Sequence, residues 1–332
     1  MLGERALRQA GFTNFTIEPT EAQPNGDFPG LEHPNPEFPE AFVRSIKLGK
    51  QIDADVLIAT DPDADRLGCA VRQPDGEYQL LTGNQIASVM LNYILEAHRQ
   101  AGTLPKNAAA VKSIVSTNFA AKIAESYGVQ MINVLTGFKW IADQIHQYET
   151  GKADHTFMFG FEESYGYLIK PFVRDKDAIQ SLTLLAEIAA YYKSRNMTMY
   201  DGVQELFQKY GYFKEKTIAN TYAGVEGPAK IKNLMKKFRE EAPTDFAGHQ
   251  VVLTEDFANN TKKTADGQVS ELGIPESNVL RYVLDDETWI AIRPSGTEPK
   301  LKFYIGTSAD TDDAAEQKLT EFEKALQEFA EA

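Results

Sequence analysis

The run Asp61-Pro62-Asp63-Ala64-Asp65-Arg66 sets three carboxylates at alternate positions. In an extended loop that spacing turns all three to one side, giving a small set of hard oxygen donors. Such a set suits Mg²⁺, which takes a few carboxylates and keeps positions for water or phosphate oxygens. A calcium EF-hand loop also begins with alternating acids, but its Gly at position six and Glu at position twelve are here Arg66 and Arg72. The other reading is a solvated acidic turn, whose carboxylates would repel one another at neutral pH. A second run, Gly160-Phe161-Glu162-Glu163-Ser164-Tyr165-Gly166-Tyr167, places carboxylates beside a hydroxyl. Carboxylates only accept hydrogen bonds and hydroxyls do both, so the pair can read sugar hydroxyls, although an ordinary polar loop has the same composition. A third run, Arg293-Pro294-Ser295-Gly296-Thr297-Glu298-Pro299-Lys300, offers a guanidinium fork, two hydroxyls and a glycine turn with free N–H groups. It suits an anion cradle, and it equally suits plain Pro-Ser-Gly turn chemistry.

Each run needs a frame. Val56-Leu57-Ile58-Ala59 reads as a buried strand delivering the acidic loop, and Leu67 to Arg72 as the strand that leaves it. Pro74-Asp75-Gly76 reads as a turn into a third strand, Glu77 to Leu81. Before them, Pro24, Pro29, Pro34, Pro36 and Pro39 forbid regular structure, and a helix is expected from Pro39 to about Gln51. Ile86, Val89, Met90, Tyr93, Ile94 and Ala97 recur at helical spacing, with Gly102 as the cap. From Ala108 strands and helices alternate through Val111–Val115, Phe119–Tyr127, Val129–Leu135, Trp140–Tyr148, Thr156–Gly160 and Ile179–Tyr192. That alternation predicts an α/β layer fold. Beyond Tyr210 come a helix after Gly227 and scattered strands at Gln250–Leu253, Val279–Leu284, Trp289–Arg293 and Lys300–Ile305. On the last of these, Leu301, Phe303 and Ile305 are expected on one face, and Lys300, Lys302 and Tyr304 on the other. An acidic helix closes the chain from about Asp312. The expected fold class is α/β: two layered domains with mixed sheets, residues 1–104 and 105–208, followed by a smaller α+β domain, residues 209–332.

Composition narrows the partners. The 332 residues carry a net charge of -14, with 42% hydrophobic and 25% charged residues. A strongly acidic chain argues against nucleic acid and anionic membranes, which are bound by clustered Lys and Arg. A phosphorylated small molecule needs only one local basic pocket. The single cysteine, Cys69, sits in an apolar run and forms no internal disulfide, consistent with a reducing, cytoplasmic setting. No stretch approaches the roughly 18 apolar residues of a membrane span, and the N-terminus has no signal-peptide pattern.

Together the three loops resemble those of the α-D-phosphohexomutase superfamily, which includes phosphoglucomutases and phosphomannomutases. Asp61 to Arg66 looks like its metal loop, Phe161 to Gly166 its sugar-recognition loop, and Arg293 to Glu298 its phosphate loop, in family order and one per domain. Thr136-Gly137-Phe138-Lys139 is similar to the family's additional substrate loop. Asp175-Lys176-Asp177 matches a position where the family places a substrate-contacting lysine. The segment Phe28-Pro29 through Pro34-Asn35-Pro36-Glu37 also resembles the family's second domain.

The resemblance implies interconversion of a sugar 1-phosphate and a sugar 6-phosphate, with glucose favoured by the doubled acid before Ser164. A mannose, pentose or bisphosphate-synthase specificity remains open. It implies Mg²⁺ on Asp61, Asp63 and Asp65, and positive charge from Arg66 beside the transferring phosphoryl. Glu162 and Ser164 would hold sugar hydroxyls, with Thr136, Gly137 and Lys139 as further substrate contacts. Arg293, Ser295, Gly296 and Thr297 would hold the resting phosphate, and Lys176 would be a proton shuttle or a phosphate contact. It implies glucose 1,6-bisphosphate as intermediate and a phosphoserine in a Ser-His-Asn-Pro type segment. No Ser-His dipeptide occurs here, and Ser116-Thr117-Asn118 is the nearest string. The serine-bearing domain is therefore expected outside this chain, and the chain alone is expected to be inactive. Two other readings are an aspartyl phosphatase or phosphotransferase acting through Asp61, and a non-catalytic sugar-phosphate-binding fragment.

Overall fold

A computed structural model describes residues 2–296 and 298–331. The chain divides into two compact units, Met1–Tyr210 and Gly211–Ala332. In the first, α1 (Leu2–Gln9) is followed by irregular chain through the proline-rich segment, as that density of fixed φ angles requires. The helix expected from Pro39 begins as a single 3-10 turn, Pro39–Phe42, and becomes α-helical only in α2 (Val43–Ile52). Neither start carries a side-chain cap.

A three-stranded antiparallel sheet follows, ordered β1 (Val56–Thr60), β2 (Leu67–Arg72) and β3 (Tyr78–Leu80). The expectation that Val56 to Ala59 is buried is corrected. β1 lies at the sheet edge, and of those four residues only Leu57 is buried. Next, α3 (Gly83–Gln100) starts with a capping box. The Thr82 hydroxyl accepts from the Gln85 N–H, and the Gln85 side chain accepts from the Thr82 N–H. Gly102 takes φ +67 just past its end, the conformation a helix terminus favours in glycine.

The second sheet has the order β5-β4-β6-β7. β4 (Ala108–Ser113), β5 (Gln130–Val134) and β6 (Thr156–Glu162) run parallel, and β7 (Gly166–Leu168) returns antiparallel to β6. The parallel pairs need crossovers, supplied by α4 (Asn118–Ser126) and α5 (Lys139–Glu149). The chain passes from β4 to β5 on one side and then to β6 on the other. The carboxyl end of β4 is thus the point where strand order reverses, the place where such sheets bind ligands. Every position of β4 is buried. The unit closes with α6 (Ala178–Ser194) and α7 (Met199–Tyr210). α3, which precedes residue 104, packs on α4, α6 and α7 after it.

The second unit is an antiparallel sheet covered by helices. Its elements are β8 (Tyr212–Thr221), α8 (Gly227–Glu240), β9 (Asp245–Phe246), β10 (His249–Asp256), β11 (Thr261–Thr264) and β12 (Val269–Glu271). β13 (Leu280–Leu284), β14 (Trp289–Pro294), β15 (Lys300–Ala309) and α9 (Asp312–Glu331) complete it. Strand order is β12-β11-β10-β13-β14-β15-β8, with β9 on β10. Phe238 of α8 and Phe322 of α9 meet Ile290, Ile292, Leu301, Phe303 and Ile305 of the sheet in one core. Tyr304, on the face shared with Lys300 and Lys302, is buried. β15 is interior to the sheet, and its stretch from Phe303 to Thr307 is buried on both faces. Among the described residues no helix is long and apolar enough to cross a membrane.

Gly306 lies across from Trp289 on β14, where an added Cβ would sit 2.3 Å from the indole. Gly306→Ala should cost about 1–3 kcal/mol through overpacking. Gly296→Ala, facing open space, should stay within about 0.5 kcal/mol. Urea unfolding of both variants checks the pair, and equal losses would contradict the packing account.

Candidate active site

The acidic loop leaves β1 and enters β2. Its first acid organises it: the Asp61 carboxylate accepts the N–H groups of Asp65 (3.1 Å) and Arg66 (2.9 Å). Ala64 is held at φ +58, a strained conformation for a residue with a Cβ. The result brings carboxylate oxygens of Asp61, Asp63 and Asp65 within 4.8 Å of one another. Burial, the neighbouring Asp65 and the Asp63 charge push Asp61 up to about 6, against the pull of the Arg66 N–H. Asp65 moves the other way. Burial raises it, but its bonds to Lys176 and Asp61 and the charges of Lys176 and Arg66 outweigh that. The Lys176 ammonium is 2.9 Å from Asp65 and 3.1 Å from Asp175. Arg66 stands between Glu37 (3.5 Å) and Asp61 (3.9 Å).

The sugar-recognition candidate is the turn between β6 and β7. Tyr165 takes φ +65. Gly166 is required by a close approach, since a Cβ there would lie 2.2 Å from the Lys176 side chain. Glu162 is only 6% exposed, and its carboxylate accepts the Gly137 N–H at 2.6 Å. Burial first, then the charge of Glu163, raise Glu162 to about 7. Ser164 is half-buried with no side-chain hydrogen bond among the described residues. Backbone bonds tie this turn to the acidic loop. The Leu67 N–H donates to the Tyr165 carbonyl (3.0 Å), and Arg66 bridges Gly166. The Ala178 N–H, at the start of α6, donates to the Ala64 carbonyl (3.0 Å).

Residues 136–139 lie between β5 and α5. Gly137 meets Glu162 as described. The Thr136 hydroxyl is buried without a partner. Phe138 is buried, with the Lys176 ammonium 5.5 Å from its ring centre. Lys139 is not drawn in: it is exposed, its ammonium over Trp140. In this unit the fold therefore gathers Asp61, Asp63, Asp65, Arg66, Lys176, Gly137 and Glu162, and leaves Lys139 outside. The place of Glu37 beside Arg66 escaped the sequence reading, because 29 residues separate them.

The phosphate-loop candidate belongs to the second unit. Arg293, next to last in β14, stands opposite Lys302 on β15, and neither has a carboxylate partner among the described residues. One expectation is corrected. The Ser295 N–H is not free but closes the hairpin on the Lys300 carbonyl at 2.8 Å. Lys300 is also spoken for, 2.9 Å from Glu298. Gly296 is exposed, and Thr297 lies outside the described residues. A separate group, His249, Asp285 and Asp286, has its charge met by Lys318, 2.7 Å from Asp286.

Comparison with known families gives matches along most of the chain. The family models for phosphoglucomutase/phosphomannomutase alpha/beta/alpha domain II, alpha/beta/alpha domain III and the C-terminal domain match residues 1–76, 82–210 and 229–324. A phosphoglucomutase of Staphylococcus epidermidis is 40% identical over 316 residues, 95% of this chain and 56% of the relative. One from Staphylococcus aureus is 38% identical over 314 residues, covering 94% and 55%. The chain spans little more than half the length of these relatives. Among solved structures, a phosphoglucomutase/phosphomannomutase family protein of Burkholderia thailandensis aligns at TM-score 0.59 and 21% identity, covering 92% of this chain and 53% of that one. The Paramecium phosphoglucomutase parafusin aligns at TM-score 0.58 and 20% identity, covering 90% and 50%. These two likenesses concern the fold.

Glu162 gives the site a pH dependence. Its ordinary value is 4.5 and its folded value about 7, so folding favours the protonated form. The stability it lends is full below about pH 4.5 and is lost as pH rises through about 7. Glu162→Gln has no charge to bury. Between about pH 4 and about pH 8 the stability difference should swing toward the variant by on the order of 3 kcal/mol. Denaturant melts of parent and variant across that range test it, and parallel pH profiles would contradict the burial of this acid.

Proposed function

Because the chain belongs to the phosphoglucomutase/phosphomannomutase family, we propose that it carries the metal, sugar and phosphate loops of an enzyme interconverting glucose 1-phosphate and glucose 6-phosphate. The observation that carries this reading is the convergence, within one unit, of three carboxylates, the Lys176 ammonium and the 162–166 turn. Relatives named phosphoglucomutase at 38–40% identity favour glucose over mannose or a pentose.

In this reading Asp61, Asp63 and Asp65 hold Mg²⁺. The donor set fits: hard oxygens within 4.8 Å of one another, in a loop short of counter-charge. When bound, the ion neutralises charge on the transferring phosphoryl group. Arg66 and Lys176 add positive charge beside it, and Lys176 is a phosphate contact or the carrier of the accepting hydroxyl's proton. Glu162 and Ser164 hold sugar hydroxyls, with Thr136 and Gly137 beside them, while Lys139 would have to swing from its place over Trp140 to reach the sugar phosphate. Arg293 is a fork for the phosphate that is not being transferred, with Ser295, Gly296 and Thr297 around it. The phosphoryl donor is a phosphoserine on a domain outside this chain, and glucose 1,6-bisphosphate is the intermediate.

The test is reconstitution. Mixed with a separately produced serine-bearing domain of a relative, the chain should convert glucose 1-phosphate to glucose 6-phosphate, and alone it should show no turnover above background. Turnover by the pure chain alone would refute the external donor. Binding of glucose 6-phosphate without turnover in the mixture would favour a binding role.

Two variants should separate the loops by calorimetry. Asp63→Asn should weaken Mg²⁺ roughly ten-fold or more, because the ligand set loses a charge. Arg293→Lys should weaken glucose 6-phosphate by roughly 1.5–3 kcal/mol, the worth of a charged hydrogen bond that Lys cannot reproduce as a fork. Mg²⁺ binding should be unmoved in the Arg293 variant, since the acidic loop lies in the other unit. Unchanged affinities in either variant would show that its loop is misassigned.

A further inference from the structure

The two adjacent acids of the turn take different partners. Glu162 meets the Gly137 N–H, whereas the Glu163 carboxylate accepts from the hydroxyls of Ser113 (2.9 Å) and Ser116 (3.1 Å). Both serines are fully buried at the carboxyl end of β4, and their own oxygens are 2.8 Å apart. The two serines have two hydroxyl protons for these three contacts, so when both donate to Glu163 their mutual contact carries none. Ser116, the residue nearest in pattern to a catalytic serine string, is thus enclosed in this network.

The turn is pressed from its other sides as well. A Cβ on Gly83, at the start of α3, would lie 2.2 Å from the Glu163 carbonyl and 3.0 Å from the Tyr165 nitrogen. The Tyr167 hydroxyl donates to the Gly83 carbonyl (3.3 Å). Of these clamps, the Glu163 side chain is the one that reaches β4, where the strand order reverses.

We propose that Glu163 is a positioning residue: it pins the turn to Ser113 and Ser116 and thereby fixes where the Glu162 carboxylate stands against Gly137. Its relevance to the sugar rests on the reading of Glu162 given above, but its test does not involve a sugar. The reporter is the Gly137 amide, whose hydrogen exchange depends on its bond to Glu162. In the whole chain, followed by NMR, Gly137 should be protected. In Glu163→Ala its exchange should accelerate roughly ten-fold or more as that bond loosens. The amides of Ala110 and Val111 inside β4 should hold their rates. Glu163→Gln keeps an oxygen for both serines and should restore Gly137. The double variant Ser113→Ala, Ser116→Ala removes the anchors instead of the acid and should reproduce the selective acceleration if Glu163→Ala does not fold. An unprotected Gly137 in the parent overturns the proposal. So does an unchanged Gly137 rate in the variants, or an equal acceleration at Gly137, Ala110 and Val111, which would mean general loss of stability. A chain that binds no glucose 6-phosphate would sink the functional reading and leave this result standing.

Discussion

Three carboxylates within 4.8 Å of one another, in a chain of net charge -14, are the constraint on which the first unit turns. Like charges so close cannot all stay ionised without compensation. The fold supplies part of it. Two N–H groups donate to Asp61, the Lys176 ammonium takes Asp65, and Arg66 lies within 3.9 Å of Asp61. Asp61 is nevertheless raised, by burial first and then by the neighbouring Asp65 and Asp63 carboxylates. In the proposed reading a divalent cation is the complement.

Satisfying that loop also builds its neighbour. Lys176 reaches Asp65 by lying over Gly166, so the residue that balances the acidic loop also demands a glycine in the turn between β6 and β7. Leu67 and Arg66 then pair with Tyr165 and Gly166. The two loops are therefore one structural object held by main-chain bonds, which depend on neither protonation nor ligand. Glu162 is treated differently from Asp61. It is buried deeply with a single N–H donor, and is thereby pushed toward neutrality, whereas Asp61 accepts two N–H groups and organises a loop. In the proposed reading one acid reads hydroxyls and the other faces a cation.

What was legible in the sequence follows the range of the interactions. The acidic loop was readable because its donors are contiguous, and the Gly102 helix end because capping is local. Strands with apolar alternation were found. β8 was not: few of its residues are buried, and its ten-residue pairing with β15 is carried by the backbone. β11 and β12 are exposed and polar, so no alternation marked them. Lys176 came from family resemblance, because nothing local links it to an acid 111 residues earlier. The spacing of Glu162 and Glu163 could not tell which faces Gly137 and which faces two serines about 50 residues upstream. The Ser295 N–H looked free because its acceptor, the Lys300 carbonyl, is set by hairpin register.

The second unit poses the reverse electrostatic problem. The whole chain carries 48 acidic residues against 34 basic ones, and in this unit Arg239 pairs with Asp256, Arg281 with Glu255 and Lys300 with Glu298. Arg293 and Lys302 do not, although they are directly opposite on adjacent strands. Like charges in that position destabilise a sheet, and among the described residues the acid of this hairpin, Glu298, pairs with Lys300 instead. Beyond about 8 Å at physiological salt the acidic surface is screened, so it does little to repel an anion already at the loop. Close to the loop, two uncompensated cations dominate. In the proposed reading the sugar phosphate is the missing counter-charge, and a carboxylate opposite Arg293 would stabilise the hairpin only by occupying the ligand's place.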